Sequence, residues 1–523
     1  MYCTRFVVVV FLLVIFLLKP TRSDAGMRPP EAGQTSATTQ LPLSFAGPSN
    51  YSAGLGNPDV LAIGDVNGDG HPDLVVANDA AYGVASSVAV LLGNGDGTFQ
   101  APTTYTFGEL RASSVAIGDL NGDGFPDLAV AIASDNGHGG VRTLLGNGSG
   151  AFQDSGSYAS GGNDAVSIAI TDINKDGHPD VVVANSSAVV GVLVNDGTGS
   201  LKPPVKYRAQ GVSTDFLTVA DVNGDGYPDV VVTNRCPSND PNCTAGTVSV
   251  LLNNRRGGFK AAVSYNAGGY GAAFAVAVGD FNGDGHPDLV VANLCESSDP
   301  CGGYIYSGGV SVLLGNGDGS FQTAVTYASG QALAVSVAVG DVNGDGHLDV
   351  VVNGMKVGGW GQYVNVLLGN GDGTLQAPVS FATTRNNRGQ IVTPVAVADL
   401  NGDGRPDLVT GALDTVSIAV LLNTLFKGTS TTVMSSANPS LVNQPVTFTA
   451  TVASSSPVPD GSEILFYNGS TEIGKGVTKN GVASFTTSFS KAKTYWIHAN
   501  YQGDAFHRKS SGYVPKGQVV KLN

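Results

Sequence analysis

The sequence predicts an all-β chain: a seven-bladed β-propeller closed by an N-terminal strand, followed by a β-sandwich of immunoglobulin type. Three observations predict it. A nine-residue pattern, Asp-x-Asn-x-Asp-Gly-x-x-Asp, occurs seven times, starting at Asp65, Asp119, Asp172, Asp221, Asp280, Asp341 and Asp399, at steps of 49 to 61 residues. That is the length of one four-stranded blade. No stretch has helical periodicity. Beyond Lys427-Gly428-Thr429-Ser430 the pattern stops, and runs rich in Thr, Ser and Val take over.

The second repeat shows the unit. Ser114–Gly118 reads as a strand leading into the acidic loop, and Asp127–Ala131 as a second strand with the continuous apolar run of a buried one. A variable loop follows. Val141–Leu145 is the third strand, and Gly146-Asn147-Gly148-Ser149-Gly150 is a hairpin signal before a fourth strand, Phe152–Tyr158. The seventh repeat reaches Val416–Asn423 and lacks the hairpin and fourth strand. Phe45-Ala46-Gly47-Pro48-Ser49-Asn50-Tyr51 matches Phe99-Gln100-Ala101-Pro102-Thr103-Thr104-Tyr105 at Phe, Pro and Tyr. The N-terminal segment is therefore expected to complete the last blade, which removes edges that invite aggregation.

The nine-residue loop is a calcium pattern. Calcium takes six to eight oxygens at about 2.3–2.6 Å. In the first copy Asp65, Asn67 and Asp69 supply side-chain oxygens, Gly70 permits the turn, His71 offers its backbone carbonyl and Asp73 closes the cage. The same five positions are Asp119, Asn121, Asp123, Phe125 and Asp127; Asp172, Asn174, Asp176, His178 and Asp180; and Asp221, Asn223, Asp225, Tyr227 and Asp229. The last three copies supply Asp280, Asn282, Asp284, His286 and Asp288; Asp341, Asn343, Asp345, His347 and Asp349; and Asp399, Asn401, Asp403, Arg405 and Asp407. Position 7 exchanges His, Phe, Tyr and Arg, so its side chain is no ligand and is expected to face solvent. An EF-hand is excluded: there is no Glu at position 12 and no flanking helix. Up to seven structural Ca²⁺ ions are expected.

Net charge is −15, and the loops, with three carboxylates each, hold 21 of the 42 acidic residues. The acidity is thus mainly metal-site charge, and it argues against nucleic-acid binding, which needs a basic footprint. At the N-terminus, Arg5, the apolar run Phe6–Leu18 and Ser23-Asp24-Ala25 read as a signal peptide cut after Ala25, residues 1–25, with a linker over 26–42. An uncleaved anchor is the alternative, and the mature chain is expected to have no transmembrane span. In an exported chain the close pairs Cys236/Cys243 and Cys295/Cys301 read as two loop disulfides, with cross-pairing left open.

These residues resemble the FG-GAP/VCBS repeat family, whose propellers also occur in integrin α subunits, over about residues 43–424. The resemblance implies an extracellular ligand-binding or adhesion module with calcium rigidifying the blades. It departs from integrins, which keep calcium in only some blades, because all seven loops here retain the ligands. Over 428–523, Asn438-Pro439-Ser440, Gln444–Ala450 and Tyr501-Gln502-Gly503-Asp504 resemble bacterial Ig-like repeats of surface proteins, a spacer or second binding module. Val446, Phe448, Ala450 and Val452 alternate as a half-buried strand, as do Tyr495, Ile497, Ala499 and Tyr501; Trp496 has the opposite parity.

Connectivity puts the acidic loops on one face of the repeat unit and the variable loops on the other. The longest of these, Arg235–Thr247, Leu294–Gly309 and Asn353–Tyr363, bring Arg235, Tyr304, Tyr306, Trp360 and Tyr363 to the expected ligand site, for an extracellular glycan or protein. No Gly-x-Ser-x-Gly, Walker, Cys-x-x-Cys or His-Glu-x-x-His motif is present, and His138 alone lies in an upper loop. The chain therefore reads as a secreted or cell-surface binding protein rather than an enzyme. A propeller-based polysaccharide lyase or hydrolase is the alternative.

Overall fold

The computed structural model describes residues 43–522 except 80–84, 109, 135–138, 238–243, 296–307, 331–332, 356–361, 385–393, 413–415, 425–427, 455–456, 504–506 and 508, and of 355, 362, 384 and 412 only the backbone. The chain divides into two compact units, one up to Asn423 and one from Thr424. No helix occurs among the described residues.

In the first unit the described residues form seven four-stranded antiparallel sheets. Sheet two is made of Arg111–Gly118, Asp127–Ala133, Gly140–Gly146 and Phe152–Ala159, in that order. Sheet one begins at Asn57–Gly64, and sheets three to six begin at Ala165–Thr171, Thr214–Ala220, Tyr270–Gly279 and Leu333–Gly340. The seventh consists of Val395–Ala398, Asp407–Ala412 and Ser417–Leu421, with Ser49–Ser52 from the N-terminal segment as its fourth strand. There Ser49 faces Val420 and Ser52 faces Ser417.

The second strand of each sheet is apolar on both faces because other sheets cover both. Asp127–Ala133, Asp180–Asn185 and Asp229–Asn234 are buried at every residue. Each such Val or Leu contributes about 1.5–3 kcal/mol. The first strand of every sheet from one to six packs against the first strand of the next, and Asn57–Gly64 packs against Val395–Ala398 and Asp407–Ala412 of sheet seven. A recurrent aromatic pair joins sheets at their rims. The fourth-strand Tyr of one sheet meets the Phe after the next sheet's hairpin edge-on: Tyr51 on Phe99 at 5.4 Å, Tyr105 on Phe152 at 6.0 Å, Tyr207 on Phe259 at 5.3 Å and Tyr265 on Phe321 at 5.6 Å. Phe45 rests likewise on Phe381 of sheet six at 4.9 Å. Each pair is worth about 0.5–1.5 kcal/mol beyond its buried area.

The second unit is a pair of facing layers of short strands. Val446–Ser454 lies between Thr429–Ser435 and Val482–Thr487, and Glu463–Asn468 lies between Thr471–Val477 and Ile497–Tyr501. Val446, Phe448, Ala450 and Val452 point into the core with Ile464, Phe466, Ile497, Ala499 and Tyr501, while the intervening residues do not. Trp496 lies outside that stripe, 64% exposed.

Candidate functional site

Each acidic loop is folded by its own side chains. In the first, Asp65 accepts hydrogen bonds from the backbone N–H groups of Gly68 (2.7 Å) and Gly70 (2.8 Å). Asn67 accepts from the Asp69 N–H, and Asp69 accepts from the His71 N–H. The Asn67 amide also donates to Asp69 Oδ2 at 2.9 Å. That last bond recurs from Asn121 to Asp123, Asn174 to Asp176, Asn282 to Asp284 and Asn343 to Asp345. Gly70 takes φ 86°, the left-handed region where a Cβ is costly.

The carboxylate at position 9 has a second task that spacing did not reveal. One oxygen of Asp73 accepts from Val66 N–H within the loop, and the other accepts from Gly93 N–H at the start of the Gly-rich hairpin. Asp127, Asp180, Asp229, Asp288, Asp349 and Asp407 tie loop to third-strand end in the same way, through Gly146, Asn195, Asn253, Gly315, Gly369 and Asn423. All seven are fully buried. Burial raises their pKa, against those two N–H bonds, and the position-5 and position-1 carboxylates raise it further in most copies. Asp180 and Asp229 reach about 6, and Asp349 and Asp407 about 7.

Position 7 is exposed in loops one, two, three, five and six, as expected, and its ring also covers the hairpin turn: a Cβ on Gly95, Gly148, Gly197, Gly317 or Gly371 would strike the ring of His71, Phe125, His178, His286 or His347. In loop four the corresponding hairpin residue is Arg255, at φ 60°, and its Nε donates to Asp225 Oδ2 at 3.0 Å. In loop seven no Gly-rich hairpin follows, and Arg405 folds back onto Asp403 Oδ2 at 2.7 Å.

The donor chemistry of the loops fits a hard divalent cation: all-oxygen, with three clustered carboxylates each. The side chains as arranged turn those oxygens toward the loop's own N–H groups. Among the described residues no three His, Cys, Asp or Glu side chains are set to hold a metal ion.

Of the predicted upper-loop cluster, only Arg235 and Tyr363 fall among the described residues. Tyr304, Tyr306 and Trp360, with Cys243, Cys301 and His138, lie outside the described residues. Tyr363 sits half-buried within the strand Gln362–Leu367. Arg235 turns inward, with its Nε 2.8 Å from Asp215 Oδ2 and its guanidinium 5.9 Å from the Phe274 ring centroid. It lines a cavity of about 270 Å³ with Asp59, Asp79, Arg111, Asp164 and Asp215, at the end of the sheets remote from the acidic loops. Sequence reading missed this site because β-bulges build it. The first strands shift register on either side of Asp59, Ser113, Val166 and Asp215, and all four face the cavity. A bulge re-aims a side chain that strict alternation would place elsewhere. Burial holds the Asp59 carboxyl well above its usual range, helped by Asp79 and opposed by Arg111. Asp215 stands at about 6, burial outweighing its arginine partner.

On the second unit, Tyr467, His498 and Tyr513 stand side by side on adjacent strands, with ring centroids 5.1 and 5.2 Å apart. Tyr513 is 66% exposed.

The comparisons agree with both units. Residues 65–130, 119–183, 172–232, 221–291, 303–352 and 357–410 match the FG-GAP-like repeat, and residues 431–516 match the bacterial Ig-like domain (group 3). No curated protein matches the chain. Both domain types are those of extracellular repeat and adhesion modules, and no described helix is long and apolar enough to cross a membrane. The chain belongs to the FG-GAP-like repeat family and carries a bacterial Ig-like domain at its C-terminal end.

Proposed function

We propose that the protein is an exported, calcium-stabilised binding module, with its repeats closed into a seven-bladed propeller. Closure is supported by the fourth strand that Ser49–Ser52 lends to sheet seven and by the packing of sheet one on that sheet. Calcium is supported by the repeated oxygen loops, in which position-9 carboxylates are buried beside two others, a repulsion that a divalent cation offsets while the carboxylates stay charged. Residues 1–25 serve as the signal peptide and 26–42 as a linker. In the oxidising compartment beyond, Cys236 joins Cys243 and Cys295 joins Cys301.

The ligand site is the bulge-lined cavity, and the observation that carries it is the convergence of Asp59, Asp79, Asp164 and Asp215 with Arg111 and Arg235. Carboxylates and guanidiniums in a cleft hydrogen-bond sugar hydroxyls well, so a glycan is the favoured ligand and a basic protein segment the second choice. The test is binding of the mature chain to a glycan array, with calcium and with EDTA, beside Asp59→Asn. Calcium-dependent binding lost in the variant is expected. A blank array from folded protein removes the glycan reading. One observation favours the enzyme alternative: Asp59 and Asp215 are carboxyls with raised pKa in one cavity, as general acids are. Release of reducing ends from a bound glycan, abolished by Asp215→Asn, would move the assignment to a hydrolase; a new unsaturated end would indicate a lyase.

A further inference from the structure

We propose that the chain fills five of its seven acidic loops with calcium, and that loops four and seven carry a cation of their own, an arginine. The inference rests on the calcium reading above and goes beyond it, because the nine-residue pattern is unbroken in all seven copies.

The difference lies at the carboxylate of position 5. In loops one, two, three, five and six its Oδ2 faces the neutral amide of the loop's own Asn. A neutral amide gives way to a cation: the side chain turns, and both its oxygen and the freed carboxylate oxygen can ligate. In loops four and seven the same Oδ2 faces a guanidinium, from Arg255 onto Asp225 and from Arg405 onto Asp403. A divalent ion there would lie within a few ångströms of a fixed positive charge.

The two arginines have separate structural origins. Arg255 occupies the hairpin position that is Gly95, Gly148, Gly197, Gly317 and Gly371 elsewhere, and it takes the left-handed backbone of those glycines. Where glycine leaves room for the position-7 ring, arginine reaches across to the loop. Arg405 is the position-7 residue itself, and with no Gly-rich turn after Asn423 to cover, it closes on its own loop.

Loop seven is the more strongly blocked. Arg405 and Asp403 are only 10% and 11% exposed, so water screens the pair little, whereas Arg255 is 61% exposed. Loop four has a second cation nearby: Lys175, the one non-glycine at position 4, holds its Nζ 4.6 Å from the ring centroid of Tyr227.

The experiment is equilibrium dialysis of the mature chain against calcium at pH 8, counting bound ions per chain. Wild type should take up about five, with any further binding at least about tenfold weaker. Arg255→Gly and Arg405→His each install a residue that other loops of this chain already have in that place, which favours retained folding. Each should add one ion, and together two. Should either variant fail to fold, Gly317→Arg with His286→Tyr, which copies the loop-four pair Arg255 and Tyr227, is the reverse test and should remove one ion from loop five. Seven equivalent ions in the wild type, or counts unmoved in the variants, overturn the inference. No bound calcium at all instead removes the calcium reading on which it stands.

Discussion

The two units solve the same problem in opposite ways. In the repeat unit the second strands are buried on both faces and the acidic loops gather at one end, their position-9 carboxylates sealed from water. In the Ig-like unit, Val446–Ser454 alternates buried and exposed residues around one core, with no buried carboxylate among the described residues. One design gains a continuous apolar core at the cost of clustered charge. On the calcium reading proposed above, stability therefore depends on bound ions in one unit and on packing and hydrogen bonding in the other.

Chelation is the largest test of that contrast. Each filled loop contributes about 2.7 kcal/mol at a hundredfold excess of free calcium over Kd. Calorimetry should show the repeat unit's transition falling far with EDTA while the Ig-like transition stays put; a single transition moving as one would break the comparison. Acid comes next. In chelated protein the raised pKa values mean that folding favours protonated carboxyls. Their contribution is complete below the unfolded value near 4 and is lost as pH rises through about 6 to 7. Without calcium the repeat unit should be more stable at pH 4.5 than at pH 8, by up to about 3 kcal/mol for each of Asp349 and Asp407. Calcium should abolish that dependence. Phe448→Ala should cost the Ig-like unit about 3–5 kcal/mol and leave the repeat unit unchanged, read as movement of one calorimetric transition only. Smallest of all, Trp496→Ala should shift neither transition by more than about 0.5 kcal/mol, since the side chain is mostly solvated. Lost glycan binding in that variant would make Trp496 part of a second contact surface.

What the sequence made legible was whatever is local. The acidic loops are nine consecutive residues, and the lent strand declares itself by matching Phe45–Tyr51 to Phe99–Tyr105. The exposure of Trp496 follows from its parity. What stayed hidden depends on partners far along the chain or on broken periodicity. Asp59 and Asp215 look like ordinary strand polar residues until a bulge turns them into one cavity. Arg255 lies 30 residues from the carboxylate it meets, in a hairpin that gives no sign of contact with the loop. Arg235 was placed on a loop by its position, whereas Asp215 draws it inward.

The strand Ser49–Ser52, which faces Ser417–Val420, also sets a timetable. The first strand of the unit to leave the ribosome is paired with one of the last, so sheet seven cannot be finished until every other repeat has been made. Until then the N-terminal segment must wait without a partner, because the strand it pairs with has not yet been made. Contacts of such sequence separation form slowly. Completion of sheet seven is therefore a late, single event, and a chain interrupted before Ser417 would be left with Ser49–Ser52 unpaired.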